Sequence, residues 1–144
     1  MKFEYTKERP LRVFTAFSGY DSQCMALDRI GIPYELVGWR EIDRYAIQAH
    51  NAVYPQWAGR NYGDISRIDW VSVPDFDLFT YSFPCTDASN AGLQKGLSEG
   101  SGTRSSLLWE CRKAIAEKRP KYALMENVKN LVGKQNIGNF RRWE

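Results

Sequence analysis

Three places in this 144-residue chain bring together residue types that could do chemistry. The first is Phe17-Ser18-Gly19-Tyr20-Asp21-Ser22. A glycine there lets the backbone approach a ligand, and the amides of a helix capped by Asp21 or Ser22 would bind an anionic group. Glu41 belongs with it, because an acid at the end of the next strand commonly accepts hydrogen bonds from ribose hydroxyls. The three-glycine dinucleotide pattern is absent, so Gly19 alone is equally a structural turn. Gly19 and Glu41 in register point to a nucleoside ligand. The second place is Pro84-Cys85, which opens a polar stretch holding Gly92, Gly96, Gly100 and Gly102. A thiol between an apolar strand and a long loop is placed to be partly exposed, as a nucleophile must be. Cys24 and Cys111 fall on inward helical faces and read as small hydrophobes. The third is Glu126-Asn127, where a carboxyl set against apolar neighbours can have a raised pKa and act as an acid. Taken singly, each also has a plain structural reading as a core thiol or a solvated acid.

Composition narrows the chemistry further. With 43% hydrophobic and 26% charged residues, the chain is neither a disordered tail nor a membrane protein, and its length suits one domain. No apolar run approaches the roughly 18 residues that span a bilayer. The start, MKFEYTKERP, reads as no signal peptide. A net charge of +3 permits a polyanionic partner without arguing for one. Three cysteines with no CxxC pair argue against a disulfide framework or a zinc site and suit a reducing cytoplasm. The single histidine, His50, makes a Ser-His-Asp triad or a multi-histidine metal site a poor fit. No metal is expected.

The elements that must position these residues alternate between strand and helix. Residues 11–17 read as a buried strand. A helix follows to about residue 30, with Cys24, Leu27 and Ile30 inward and Gly31 just past its end. Residues 34–39 form a second strand, and 43–53 a second helix with Ala46, Ala49 and Val53 inward. After Gly63-Asp64-Ile65 and a loop through Pro74, residues 76–83 form a strand ended by Pro84. A helix capped by Ser105 or Ser106 runs to about residue 118, with Leu107, Leu108, Cys111 and Ile115 inward. Pro120 stops it, and residues 122–125 form the last strand. This alternation predicts a mostly parallel sheet with helices on both faces, whose ligands sit beyond the strands' carboxyl ends. Gly19, Glu41, Cys85 and Glu126 each follow a strand.

Over residues 11–130 these motifs, in this order, resemble the cytosine-C5 DNA methyltransferases. Phe17-Ser18-Gly19 resembles the family's first motif, Glu41 the second and Gly63-Asp64-Ile65 the third. Ser82-Phe83-Pro84-Cys85-Thr86-Asp87-Ala88-Ser89 is similar to the catalytic fourth. Gly102-Thr103-Arg104-Ser105-Ser106-Leu107 is similar to the fifth, and Glu126-Asn127-Val128-Lys129-Asn130 to the sixth. The resemblance implies a Rossmann-like S-adenosylmethionine-dependent methyltransferase fold. It implies Cys85 and Glu126 as catalytic residues, with Pro84, Asn127 and Ser89 positioning the substrate. Phe17, Ser18, Gly19, Tyr20, Asp21, Glu41, Ile42, Asp64, Ile65, Pro84 and Leu107 would line the S-adenosylmethionine site. Within it Glu41 would meet the ribose, Asp64 the adenine amino group, and Phe17 and Leu107 the adenine faces. The implied substrate is double-stranded DNA with the target cytosine flipped out, and Lys95 and Arg104 would contact phosphates.

The chain also departs from the family pattern. Asp21 and Ser22 stand where glycines are usual, Ser82 stands for Gly, Thr86 for Gln, and Ile42 for a larger residue. The family's arginine-bearing eighth motif, its target recognition domain and its C-terminal motifs are not found. Residues 1–144 therefore read as a partial catalytic domain that works with a C-terminal part or a complementing subunit. Three other readings fit parts of the pattern: a non-catalytic cofactor- or partner-binding fragment, a tRNA cytosine-C5 methyltransferase, and a nicotinamide-dependent oxidoreductase. The last leaves Pro84-Cys85 without a role.

Overall fold

The first strand, β1 (Leu11–Ala16), is buried on both sides, as a central strand of a parallel sheet must be. Its side chains alternate. Leu11 and Val13 pack with Cys24, Leu27, Leu36, Trp39 and Tyr54, while Phe14 and Ala16 pack with Trp70, Phe76, Phe79, Leu108 and Cys111. The computed structural model describes residues 4–84, 102, 104–132 and 137–143. Beside β1 lie β2 (Tyr34–Arg40), β3 (Leu78–Tyr81) and β4 (Tyr122–Met125), in the order β2-β1-β3-β4 and all parallel. A single bridge from Trp39 to Asn61 extends the sheet beyond β2. The helices are α1 (Ser22–Ile30), α2 (Arg44–Val53), α3 (Leu108–Lys118) and α4 (Ile137–Trp143). Cys24 and Leu27 of α1 and Ile47 of α2 cover one face, and Leu108, Cys111 and Ala114 of α3 with Phe140 and Trp143 of α4 cover the other. The expected parallel α/β architecture is thus observed. From β1 the chain moves out to β2, then back across to β3 and β4. The switch point between β1 and β3 is where such sheets hold ligands.

Several local expectations are corrected. Ile30 is exposed, so α1 buries only Cys24 and Leu27. In α2 the inward residue is His50, while Ala49 and Val53 face water. Asp43 starts the helix, its side chain accepting from the amides of Tyr45 and Ala46. The residue at the capping position of α3 is Leu107, later than expected. A short 3₁₀ turn, Arg104–Leu107, feeds directly into the helix at Leu108. Asp21 stands at the capping position of α1 but makes no side-chain bond to it. The third strand is confined to Leu78–Tyr81, with Phe76 and Phe83 buried just outside it.

One irregularity shapes the site edge. The β1–β2 register shifts between Val13 and Phe14, so Val13 pairs with Leu36, Phe14 pairs with Gly38, and Val37 is extra. Gly38 lies under the Phe14 and Tyr62 rings, where a Cβ would sit 2.7 Å and 2.8 Å from their carbons. At the far side β4 is an edge strand, with Tyr122 and Leu124 exposed.

Candidate functional site

Parallel register turns sequence motifs into one row. Ala16 pairs with both Arg40 and Tyr81, and Tyr81 pairs with Met125. The residues just past those four, Phe17, Glu41, Ser82 and Glu126, therefore line one edge of the sheet. With strands roughly 4.8 Å apart, they span about 14 Å.

On the β1–β2 side the backbone turns sharply. Phe17, Gly19 and Asp21 all have positive φ, at 59°, 55° and 67°. For Phe17 this is a sparsely populated conformation that its surroundings must hold. The amides of Phe17 and Ser18 both donate to the Arg40 carbonyl, at 3.0 and 3.3 Å. The Arg40 side chain is buried, donates from Nε to the Gly63 carbonyl at 2.9 Å, and places its guanidinium 4.3 Å from the Phe17 ring centre. Burial pushes its pKa down, and the carboxylates of Glu41 and Asp64 partly offset that.

Glu41 latches the two turns together. Its Oε2 accepts from the Gly19 amide at 3.1 Å, and its Oε1 accepts from the amides of Ile42 and Asp43 at 2.8 and 3.1 Å. Asn61 holds the Glu41 backbone from both ends: Oδ1 accepts from its amide and Nδ2 donates to its carbonyl, each at 3.1 Å. The Gly19 amide is thus engaged by Glu41. The amides left without a side-chain acceptor are those of the first turn of α1. Ile42 and Tyr20 are exposed at 65% and 53%. Exposed Asp64 accepts from the Ser66 amide at 3.0 Å and its hydroxyl at 2.8 Å. Those two bonds, with lesser help from Arg40 and Arg67, hold its pKa below the ordinary range. The Ile65 side chain is fully buried in the core, and Leu107 packs partly buried against the same cluster. Ser18 is buried.

On the β3–β4 side, Ser82 donates to Glu126 Oε2 at 2.7 Å. Asn127 Nδ2 donates to the Phe83 carbonyl at 2.9 Å, fastening the chain just before Pro84 to the end of β4. Glu126 is exposed rather than enclosed by apolar neighbours, because β4 is an edge strand. Pro84 is half-buried. Cys85, Ser89 and Lys95 lie outside the described residues, as does the Arg104 side chain. Cys24 and Cys111 are buried, and burial pushes both thiols up, as expected of core residues. A groove of about 430 Å³ runs between α1 and the β3–β4 strands, from Ile30 and Leu78 up to Ser22, Gln23 and Glu126, and its lining includes neither Gly19 nor Glu41.

Sequence reasoning missed four contributors: Arg40, His50, Asn61 and the Ser82 hydroxyl. Their partners are 20 or more positions away, so no local pattern signals them. Among the described residues no group of three His, Cys, Asp or Glu could hold a metal ion, and no helix is long and apolar enough to cross a membrane.

A glycine turn latched by an acid at the switch point of a parallel sheet belongs to the Rossmann-like S-adenosylmethionine-dependent methyltransferase fold. The Dnmt2 methyltransferase of S. pombe shares this fold with a TM-score of 0.70 at 22% identity, over 92% of this chain and 41% of that one. Residues 11–143 match the C-5 cytosine-specific DNA methylase family, and the chain belongs to that family. Its relatives include the type II methyltransferase M2.ScrFI of Lactococcus lactis subsp. cremoris, 40% identical over 92% of this chain and 51% of that protein. The orphan methyltransferase M.SPRI of Bacillus phage SPR is 41% identical over 85% of this chain and 27% of its own length. M.SssI of Spiroplasma monobiae is 32% identical over 96% and 51%. The chain thus spans about half the length of these relatives or less.

S-adenosylmethionine is the methyl donor of the family, and the residues present fit it. The start of α1 carries amides free of a side-chain cap. Glu41 keeps one acceptor site, on Oε2, beyond its three backbone donors. Asp64 is an exposed, ionised acceptor.

Proposed function

We propose that this chain is the cofactor-binding and catalytic part of an enzyme that methylates C5 of cytosine in DNA. The carrying observation is that parallel register sets Phe17, Glu41, Ser82 and Glu126, each just past a strand, along one edge of the sheet. When bound, S-adenosylmethionine supplies a methyl group on a sulfonium. The α1 amides would hold its carboxylate, Glu41 a ribose hydroxyl, Asp64 its adenine amino group, and Phe17, Ile42 and Leu107 its ring.

Cytosine C5 is too poor a nucleophile to take a methyl unaided. Cys85, as thiolate, forms an S–C6 bond, and the C5=C6 electron pair shifts to give an enamine. Glu126, oriented by Ser82, donates to N3 and offsets the charge that develops there. Methyl transfer to C5 would release the donor as the neutral thioether, and loss of the C5 proton to solvent would restore the C5=C6 bond and expel the Cys85 thiolate. Asn127 supports this by fixing the Phe83 carbonyl, and with it the backbone leading into Cys85. We assign recognition of the DNA sequence to a further segment or a complementing subunit, since the relatives are about twice as long or more.

DNA carrying 5-fluorocytosine tests the reading, because fluorine at C5 cannot leave as a proton and the adduct is trapped. A denaturing gel should show a DNA-linked chain in the presence of S-adenosylmethionine and none with Cys85→Ser. Absence of the adduct, even with a complementing C-terminal segment supplied, defeats the enzyme reading and favours a non-catalytic fragment.

A further inference from the structure

An aspartate at the start of a helix ordinarily turns its carboxylate to the helix's own first amides. Asp21 does not. Its backbone is left-handed, at φ 67° and ψ 56°, and its side chain points into the interior, where it is fully buried. There Oδ2 accepts from the Thr15 hydroxyl at 2.9 Å and lies 3.2 Å from Nε2 of His50. His50 is equally buried on α2, with its ring stacked 3.6 Å from Trp39 at an interplanar angle of 17°. Facing a carboxylate, Nε2 must be the protonated nitrogen.

We propose that His50 is a positioning residue for cofactor binding: by holding the Asp21 carboxylate in the interior, it keeps the first amides of α1 open to the carboxylate of S-adenosylmethionine. This rests on the reading of the site given above. Asp21 released from His50 has two courses. Remaining buried leaves a carboxylate short of donors, and its Oδ1 already has no partner. Turning outward to cap α1 satisfies the carboxylate and sets its charge where the ligand's would lie. The second course is the cheaper one, and it closes the site. The family usually has glycine at this position, where no such charge arises. In this chain the buried imidazole makes the aspartate compatible with the same ligand.

Binding of S-adenosylhomocysteine to the 144-residue chain, read by titration calorimetry, tests this. His50→Phe keeps a ring against Trp39 and removes the donor. It should bind on the order of tenfold more weakly. His50→Gln, which retains an N–H, should lose little. The double variant Asp21→Gly, His50→Phe should regain most of the loss, since glycine adopts the left-handed backbone without strain and carries no charge. His50 is the only histidine, so imidazole NMR signals of the wild-type chain are assigned without ambiguity. They should show Nε2 protonated and bonded in both the free chain and the complex, a result that stands even if His50→Phe fails to fold. Wild-type affinity in His50→Phe, no recovery in the double variant, or loss of the Nε2 proton signal on binding would overturn the inference alone. A wild-type chain that binds no S-adenosylhomocysteine overturns the cofactor reading and this inference together.

Discussion

Replacing Glu41 by glutamine separates the latch from the ligand. The carboxylate accepts three backbone amides, Gly19 on one oxygen and Ile42 and Asp43 on the other. A glutamine has one oxygen. Kept on Ile42 and Asp43, it turns its NH2 toward the Gly19 N–H, donor against donor. One charge-assisted bond is lost outright, an effect of about 1.5–3 kcal/mol in a buried setting. Glu41 is only half-buried, and water compensates part of that loss. The remaining two bonds become neutral. A net destabilisation of about 1–2 kcal/mol follows, which for a chain of this size lowers Tm by roughly 3–8 °C. Circular dichroism melts of the ligand-free chain measure it. The stabilisation added by S-adenosylhomocysteine should shrink as well, because the ribose acceptor loses its charge. Unfolding of the Glu41→Gln chain within 1 °C of wild type would show that the latch carries no weight.

Gly38→Ala should cost about 1–3 kcal/mol in urea unfolding, because its Cβ would meet the Phe14 and Tyr62 rings at 2.7 and 2.8 Å; an unchanged midpoint would mean that the bulge relaxes freely. Asp64 has a folded pKa below its unfolded value, so it contributes stability that is present at neutral pH and is lost as pH falls below about 4. Ser66→Ala, which removes the hydroxyl bond and leaves the amide, should flatten that acid limb in melts between pH 7 and pH 3, and an equally steep limb would contradict the assigned cause. Ser82→Ala removes the 2.7 Å donor to Glu126 and should slow trapping of 5-fluorocytosine DNA by about tenfold with S-adenosylhomocysteine affinity intact; an unchanged trapping rate would deny Ser82 its orienting role.

Much of the scaffold was legible in the residue order. Strands of a parallel sheet require apolar runs closed by turn residues, so residues 11–17, 34–39 and 122–125 read as strands, each within a residue of the observed bounds. Gly31 marked the end of α1 because the chain there needs φ 72°, which glycine adopts freely. The motif order identified the family, and the strand ends marked the edge along which Phe17, Glu41, Ser82 and Glu126 line up. The phase of α2 escaped because hydrophobic periodicity records only which side avoids water. His50 is inside for a polar reason, its bond to Asp21, and it displaces the apolar face that Ala49 and Val53 suggested.

What the sequence by itself determined, then, was the kinds of element, their order and the functional groups at their ends. Tertiary structure alone decided the strand order β2-β1-β3-β4, which brings Glu41 to Gly19 and Ser82 to Glu126. It also decided that Asp21 faces inward while the amides beside it stay open. The physical reason is the same in each case. A hydrogen bond between residues 22, 29 or 44 positions apart depends on where two chain segments meet, and nothing in the local residue pattern encodes that meeting.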